Sequence, residues 1–215
     1  MKDSTRQNLF NLFARYPCLK SLDNELQRAI ETLSTVFSKS GTLFVCGNGG
    51  SCADSAHITG ELVKSFCKPR SLKEEEIKLI APFPDANFLK QKLQKGLPCV
   101  DLTANIALQT AIANDSSADL VFAQQLFVYG RPGDVLLALT TSGNSRNVYL
   151  ASQVAKSKGM WVIVLQGSNK ASKISAFADI LLAVPERETY KIQELHLPIY
   201  HAICLCLEQE FFGDS

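Results

Sequence analysis

Residues 43–61 read LFVCGNGGSCADSAHITGE, and the passage from an apolar run through a glycine-rich turn into a helix-spaced segment decides the fold. Leu43 to Cys46 is short and continuously apolar, the pattern of a strand buried on both faces. Gly47, Gly49 and Gly50 then allow backbone conformations that side chains forbid, so several amides can converge on one anion at a helix N-terminus. His57 and Glu61 are four residues apart on the helix that follows and share a face, within reach of one substrate or one metal ion. The turn matches neither the dinucleotide fingerprint nor the lysine-ending phosphate loop. Glycine turns of this kind also occur without chemistry, and a His-x-x-x-Glu pair is equally an ordinary solvated helix pair, so a second constellation has to decide.

Outward from this stretch the alternation repeats. Strand patterns at Cys99 to Leu102, Asp134 to Thr140, Trp161 to Gln166 and Ile180 to Val184 are mostly followed by ten or more residues of helical pattern, which predicts an α/β chain with a parallel sheet covered on both faces. In such sheets ligands sit beyond the carboxyl ends of the strands, where the glycine turn falls. Two amphipathic helices come first: residues 4–15 carry Leu9, Phe10, Leu12 and Phe13 at helical spacing, and Leu22 to Phe37 follows a cap expected at Ser21 or Asp23. Lying outside the minimal sheet, this arm (1–40) has an apolar stripe that serves either the chain's own core or another subunit.

The 215 residues, 46% hydrophobic and 20% charged, suffice for a substantial core and predict one domain over 1–215. Twenty-two basic against twenty-one acidic residues leave a formal charge of +1, so neither nucleic acid nor an anionic membrane is an expected partner, and any anion site is local. The N-terminal residues are broken by polar and charged side chains every few positions and form neither a signal core nor a membrane span, which predicts a cytoplasmic protein. Seven cysteines, odd in number and without paired C-x-x-C spacing, read for the most part as buried thiols. Residues 67–98 interrupt the alternation with two charge clusters, four prolines and an apolar centre at Ile80 to Phe83. This excursion is either a solvated insertion or a lid, since it leaves directly from the helix carrying His57 and Glu61.

The second constellation is Asp134 to Ser145, DVLLALTTSGNS. A strand enters a turn bearing hydroxyls at Thr140, Thr141, Ser142 and Ser145, and a helix follows. Four hydroxyls and free helix-start amides suit a phosphate monoester, although Ser145 alone would read as an N-cap.

With both loops in view, the chain resembles the sugar isomerase (SIS) family of phosphosugar-binding domains, and within it the phosphoheptose isomerase branch. The resemblance is carried by CGNGGSCADSAHITGEL at 46–62, IANDSS at 112–117, RPGDVLLALTTSGNSRNV at 131–148 and KIQELHLPIYH at 191–201. It implies a three-layer αβα sandwich around a five-stranded parallel sheet, assembled as a homotetramer whose sites are completed by neighbouring subunits. It further implies that Ser51, Thr140, Thr141, Ser142 and Ser145, with the Gly49–Gly50 turn, hold the phosphate of a phosphorylated sugar. Asn48, Asn114, Asp115 and Gln193 would contact the rest of the substrate, while Glu61 and His201 transfer protons in an aldose–ketose isomerisation of sedoheptulose 7-phosphate. Zinc, helpful without being obligatory, would be bound by His57, Glu61, Gln193 and His201.

The residue types suit the reaction: Glu and His can move a proton between adjacent carbons and serve the two oxygens near neutral pH. Spacing on the last helix does not by itself choose Gln193 as the partner of His201, which is nearer in angle to Glu194, and Pro198 lies between them. One turn beyond Glu61, where the family carries a basic residue, this chain has Ser65 beside Lys64. Two other readings share the same loops: a non-catalytic phosphosugar-binding module, as in a relative that associates with the bacterial replication initiator, and an isomerase of another phosphosugar. A pure binder has no need of Glu61 and His201 converging beside the phosphate loop.

Overall fold

Five apolar runs pair as one parallel sheet in the order β2-β1-β3-β4-β5. They are β1 (Leu43–Cys46), β2 (Cys99–Asp101), β3 (Val135–Leu139), β4 (Trp161–Gln166) and β5 (Ile180–Ala183), in a computed structural model that describes residues 1–213. Leu43 aligns with Cys99 on one side and Val135 on the other. Because successive strand side chains point to opposite faces, the runs divide between two cores. Leu43, Val45, Val135, Leu137, Ile163 and Leu182 join one, and Phe44, Cys46, Leu136, Ala138, Val162 and Val164 join the other. β3 is shorter than the sequence pattern by a residue at each end. Asp134 instead accepts hydrogen bonds from the amides of Thr42 and Arg131, both at 2.8 Å, and Thr140 turns into the following loop.

Helices cover both faces and complete the expected three layers. The first core takes in α1 (Asp3–Arg15), α2 (Asp23–Ser38), α3 (Gly50–Val63) and the long α9 (Thr189–Phe212). The second takes in α6 (Ile106–Ile112), α7 (Ala123–Tyr129) and α8 (Arg146–Ser157). The arm is therefore not an appendage. Leu9, Leu12 and Phe13 are buried and α1 contacts the chain's own α9, so that part of the stripe is core, while Phe10 stays exposed. The cap expected at Ser21 or Asp23 is also absent: Leu22 occupies the N-cap without a side-chain bond. Asp23 opens α2 and instead binds Lys20 Nζ at 2.6 Å and Gln27 Nε2 at 2.7 Å.

The sheet order reverses beside β1, with β2 on one flank and β3 on the other. That switch point opens a crevice at the carboxyl ends of β1 and β3, from which both polar loops emerge. The excursion folds into two short helices, α4 (Glu74–Ile80) and α5 (Ala86–Lys92), neither with a buried residue. Its base is closed by the Lys95 amide donating to the Arg70 carbonyl at 2.8 Å and that of Leu97 to Leu62 at 2.9 Å. No helix among the described residues is long and apolar enough to cross a membrane.

Candidate active site

The glycine turn does at β1 what its composition predicts. Gly49 takes φ +56°, a left-handed conformation that costs a side-chain-bearing residue but not glycine. A Cβ on Gly50 would stand 2.6 Å from Gln193 Nε2, so the amide of Gln193 lies over the turn. The amides of Ser51 and Cys52 bond back to the carbonyls of Asn48 and Gly49, each at 3.0 Å. The Gly49 and Gly50 amides remain as the candidates for an anion.

The second loop is braced by two of its own hydroxyls. Thr140 Oγ1 and Ser142 Oγ accept from the amides of Gly143 and Asn144, each at 3.2 Å, while Gly143 takes φ +69°. Ser145 holds the N-cap position of α8 but makes no capping bond with its side chain, which leaves its hydroxyl and that of Thr141 to a ligand. Beside this loop is a cavity of about 560 Å³ lined by Thr141, Ser142, Asn144, Lys170, Glu186 and Arg187 among others. Lys170 and Arg187 were not expected at the site. Cations next to a phosphate-type loop were the available signal, but they belong to the β4 and β5 loops, remote in sequence from the TSGNS turn.

The two loops are joined. Asn48 Nδ2 donates to Asn147 Oδ1 at 2.8 Å and Asn147 Nδ2 returns a bond to Asn48 Oδ1 at 2.9 Å. Asn114 and Asp115 lie in a turn of π-helix, Ala113–Ser117, with Asn114 Nδ2 bonded to Asp115 Oδ1 at 2.8 Å. Such turns are frequent at functional sites.

A second cluster forms where α3 meets α9. His57 Nε2 is 3.3 Å from Glu61 Oε1 and 3.4 Å from His201 Nε2, and the two imidazoles meet edge to face. Burial, reinforced by the His57 ring, holds the His201 pKa below its ordinary value, with Glu61 opposing. Glu61 Oε2 is buried without a hydrogen bond. Lys64 Nζ approaches it to 3.8 Å, while the Ser65 amide donates to Gln94 Oε1 at 2.9 Å and the Ser65 carbonyl accepts from Lys64 Nζ at 3.0 Å. His201 also opens onto a groove of about 540 Å³ between α1 and α9, lined in part by Asn11, Arg15 and Leu197.

Two expectations change here. Glu61 and His201 do converge, but not beside their own chain's glycine turn: Glu61 lies eleven residues along α3 from Gly50, about 16 Å at the helical rise. Of the four implied zinc ligands, Glu61 and His201 each lie within 3.4 Å of His57 Nε2, while Gln193 is set apart. Gln193 precedes His201 by eight residues on an α9 that runs unbroken through Pro198, about 12 Å along its axis. No three His, Cys, Asp or Glu side chains among the described residues surround a common point as metal ligands do. None of the steps below passes through zinc. Sequence spacing also missed Tyr200, which contacts His57 from behind, and Asp54, which accepts from the Tyr200 hydroxyl.

A parallel α/β sandwich with two anion-type loops at its switch point defines a phosphosugar-binding domain of the sugar isomerase class, and a model of the SIS domain matches residues 82–167. The chain is 30% identical to the phosphoheptose isomerase of Akkermansia muciniphila over 213 residues, covering 99% of this chain and all of that one. It is 35% identical to that of Synechocystis over 190 residues, 88% of this chain and 85% of the relative. The solved phosphoheptose isomerase from Neisseria gonorrhoeae superposes with a TM-score of 0.73 at 31% identity, covering 96% of this chain and 98% of that one. The chain belongs to the phosphoheptose isomerase family.

Proposed function

We propose that this isomerase interconverts sedoheptulose 7-phosphate and D-glycero-D-manno-heptose 7-phosphate. The observation that carries the chemistry is the Glu61–His57–His201 cluster, with Glu61 Oε2 buried and unbonded. An acid/base group held close to its partners but not neutralised by them is suited to taking a proton from carbon. Glu61 removes a C1 proton of the ketose and returns it at C2, while His201 supplies a proton to O2 and accepts one from O1 through the enediolate.

Geometry extends the proposal to assembly. The roughly 16 Å between Gly50 and Glu61 along α3 sets the binding loops and the acid/base pair well apart within one chain. We therefore assign each working site to two chains of a homotetramer, the loops of one and the Glu61–His201 pair of another. Zinc remains a proposal for the assembled protein, tested by metal analysis after gel filtration and by activity with and without a chelator. The seven cysteines, all free, suit a reducing cytoplasm.

Turnover of sedoheptulose 7-phosphate followed by NMR tests the reaction. Glu61→Gln is expected to lower kcat by about 10²–10⁴-fold with an unchanged circular dichroism spectrum. Absence of wild-type turnover, alongside conversion of a pentose or hexose phosphate from a panel, would reassign the substrate. Persistence of full activity in Glu61→Gln would remove Glu61 from the mechanism.

A further inference from the structure

Tyr200 is 1% exposed, and its hydroxyl lies between two side chains. Oη donates to Asp54 Oδ1 at 3.1 Å and stands 3.0 Å from His57 Nδ1, with the two rings edge to face at 5.5 Å between centroids. A phenol has one proton. A phenol ordinarily titrates at about pH 10, so that proton is retained at neutral pH. Directed to Asp54, it leaves Oη only lone pairs to offer His57, and the Nδ1···Oη contact is a hydrogen bond only if Nδ1 carries the hydrogen.

We infer that Asp54 and Tyr200 are positioning residues that fix His57 as the Nδ1–H tautomer and present its Nε2 lone pair to Glu61 and His201. A neutral imidazole has one donor and one acceptor nitrogen, and the bond made by the first decides the role of the second. The nitrogen left as acceptor is the one 3.3 Å from Glu61 Oε1 and 3.4 Å from His201 Nε2. This rests on the proposed reaction and gives His57 a part in it. When His201 holds the proton that it supplies to O2, its Nε2–H donates to His57 Nε2. No proton is gained or lost by His57, and the opposite tautomer would set its N–H against that of His201.

The test is long-range ¹H–¹⁵N NMR of the intact protein above the histidine titration range, with kinetics on sedoheptulose 7-phosphate in parallel. The chain has only three histidines, which His57→Gln and His201→Gln spectra assign. Wild-type His57 is expected as the Nδ1–H tautomer. Tyr200→Phe should yield a tautomer mixture and a kcat lower by about tenfold or more at little-changed KM. Asp54→Ala frees the phenol to donate to His57 and should shift it toward Nε2–H. An Nε2–H wild-type His57, or an unchanged tautomer and kcat in both variants, would overturn the inference. Correct tautomers in a wild-type protein that does not turn over the heptose would fault the reaction and leave the positioning intact.

Discussion

His196 is fully buried on α9, and neither ring nitrogen makes a hydrogen bond among the described residues. Burial lowers its pKa from 6.5 to about 4, opposed only weakly by the Gln166 backbone nearby. Between those values the unfolded chain holds a proton that the folded chain does not. Stability therefore falls as pH drops through that window, by up to about 3 kcal/mol. Urea unfolding at pH 7 and pH 5 should show the loss, and His196→Met should flatten it. The sequence could not distinguish this histidine from His201, because both lie on one helix and neither spacing nor angle reveals what packs against each. Glu61 and His57 were legible because four-residue spacing fixes a shared helix face. Tyr200 was not, because its meeting with His57 depends on how α3 and α9 pack, and Asp54 gains its role only through Tyr200.

Arg70 begins the excursion and is the element-scale counterpart. Fully buried, it places Nε and Nη2 each 2.9 Å from Glu208 Oε1 and donates to the carbonyls of Leu62 at 2.7 Å and Glu61 at 2.9 Å. Glu208 also accepts from the amides of Phe66 and Cys67, both at 2.9 Å. The end of α3, the start of the excursion and α9 are thus tied at one ion pair. Arg70→Met alone should cost about 3–5 kcal/mol in chemical denaturation by stranding a buried carboxylate, and adding Glu208→Leu should recover much of it. Because the base of the excursion is already closed at Arg70 and Lys95, replacing residues 73–93 with a short glycine–serine link should leave the melting temperature within a few degrees. Unchanged kcat and KM in that variant would identify a solvated insertion, and a raised KM a lid. Strands and long helices were legible in outline because each has its own period and length. The two excursion helices were hidden by charge, proline and the absence of any buried face.

For the whole molecule, the length of α3 separates the binding loops from the acid/base pair, and a mixing experiment probes this directly. Glu61→Gln and a loop variant such as Ser145→Ala with Thr141→Ala should each be nearly inactive. Coassembled from a common unfolded pool, they should regain up to about a quarter of wild-type activity if each site draws on two chains. No recovery would return the site to one chain. The five-strand order follows from the alternation of strands and helices, but the separation across α3 required the axial rise to be weighed as well as the angular face. Finally, the Asn48–Asn147 amide pair ties the β1 loop to α8 across the crevice, with both side chains satisfied before any sugar arrives. A hydroxyl that engages Asn48 must replace a protein bond with a ligand bond, each worth about 0.5–1.5 kcal/mol net. The exchange contributes little to affinity and much to discrimination: a sugar with a hydroxyl misplaced at that position must open the clasp without refilling it.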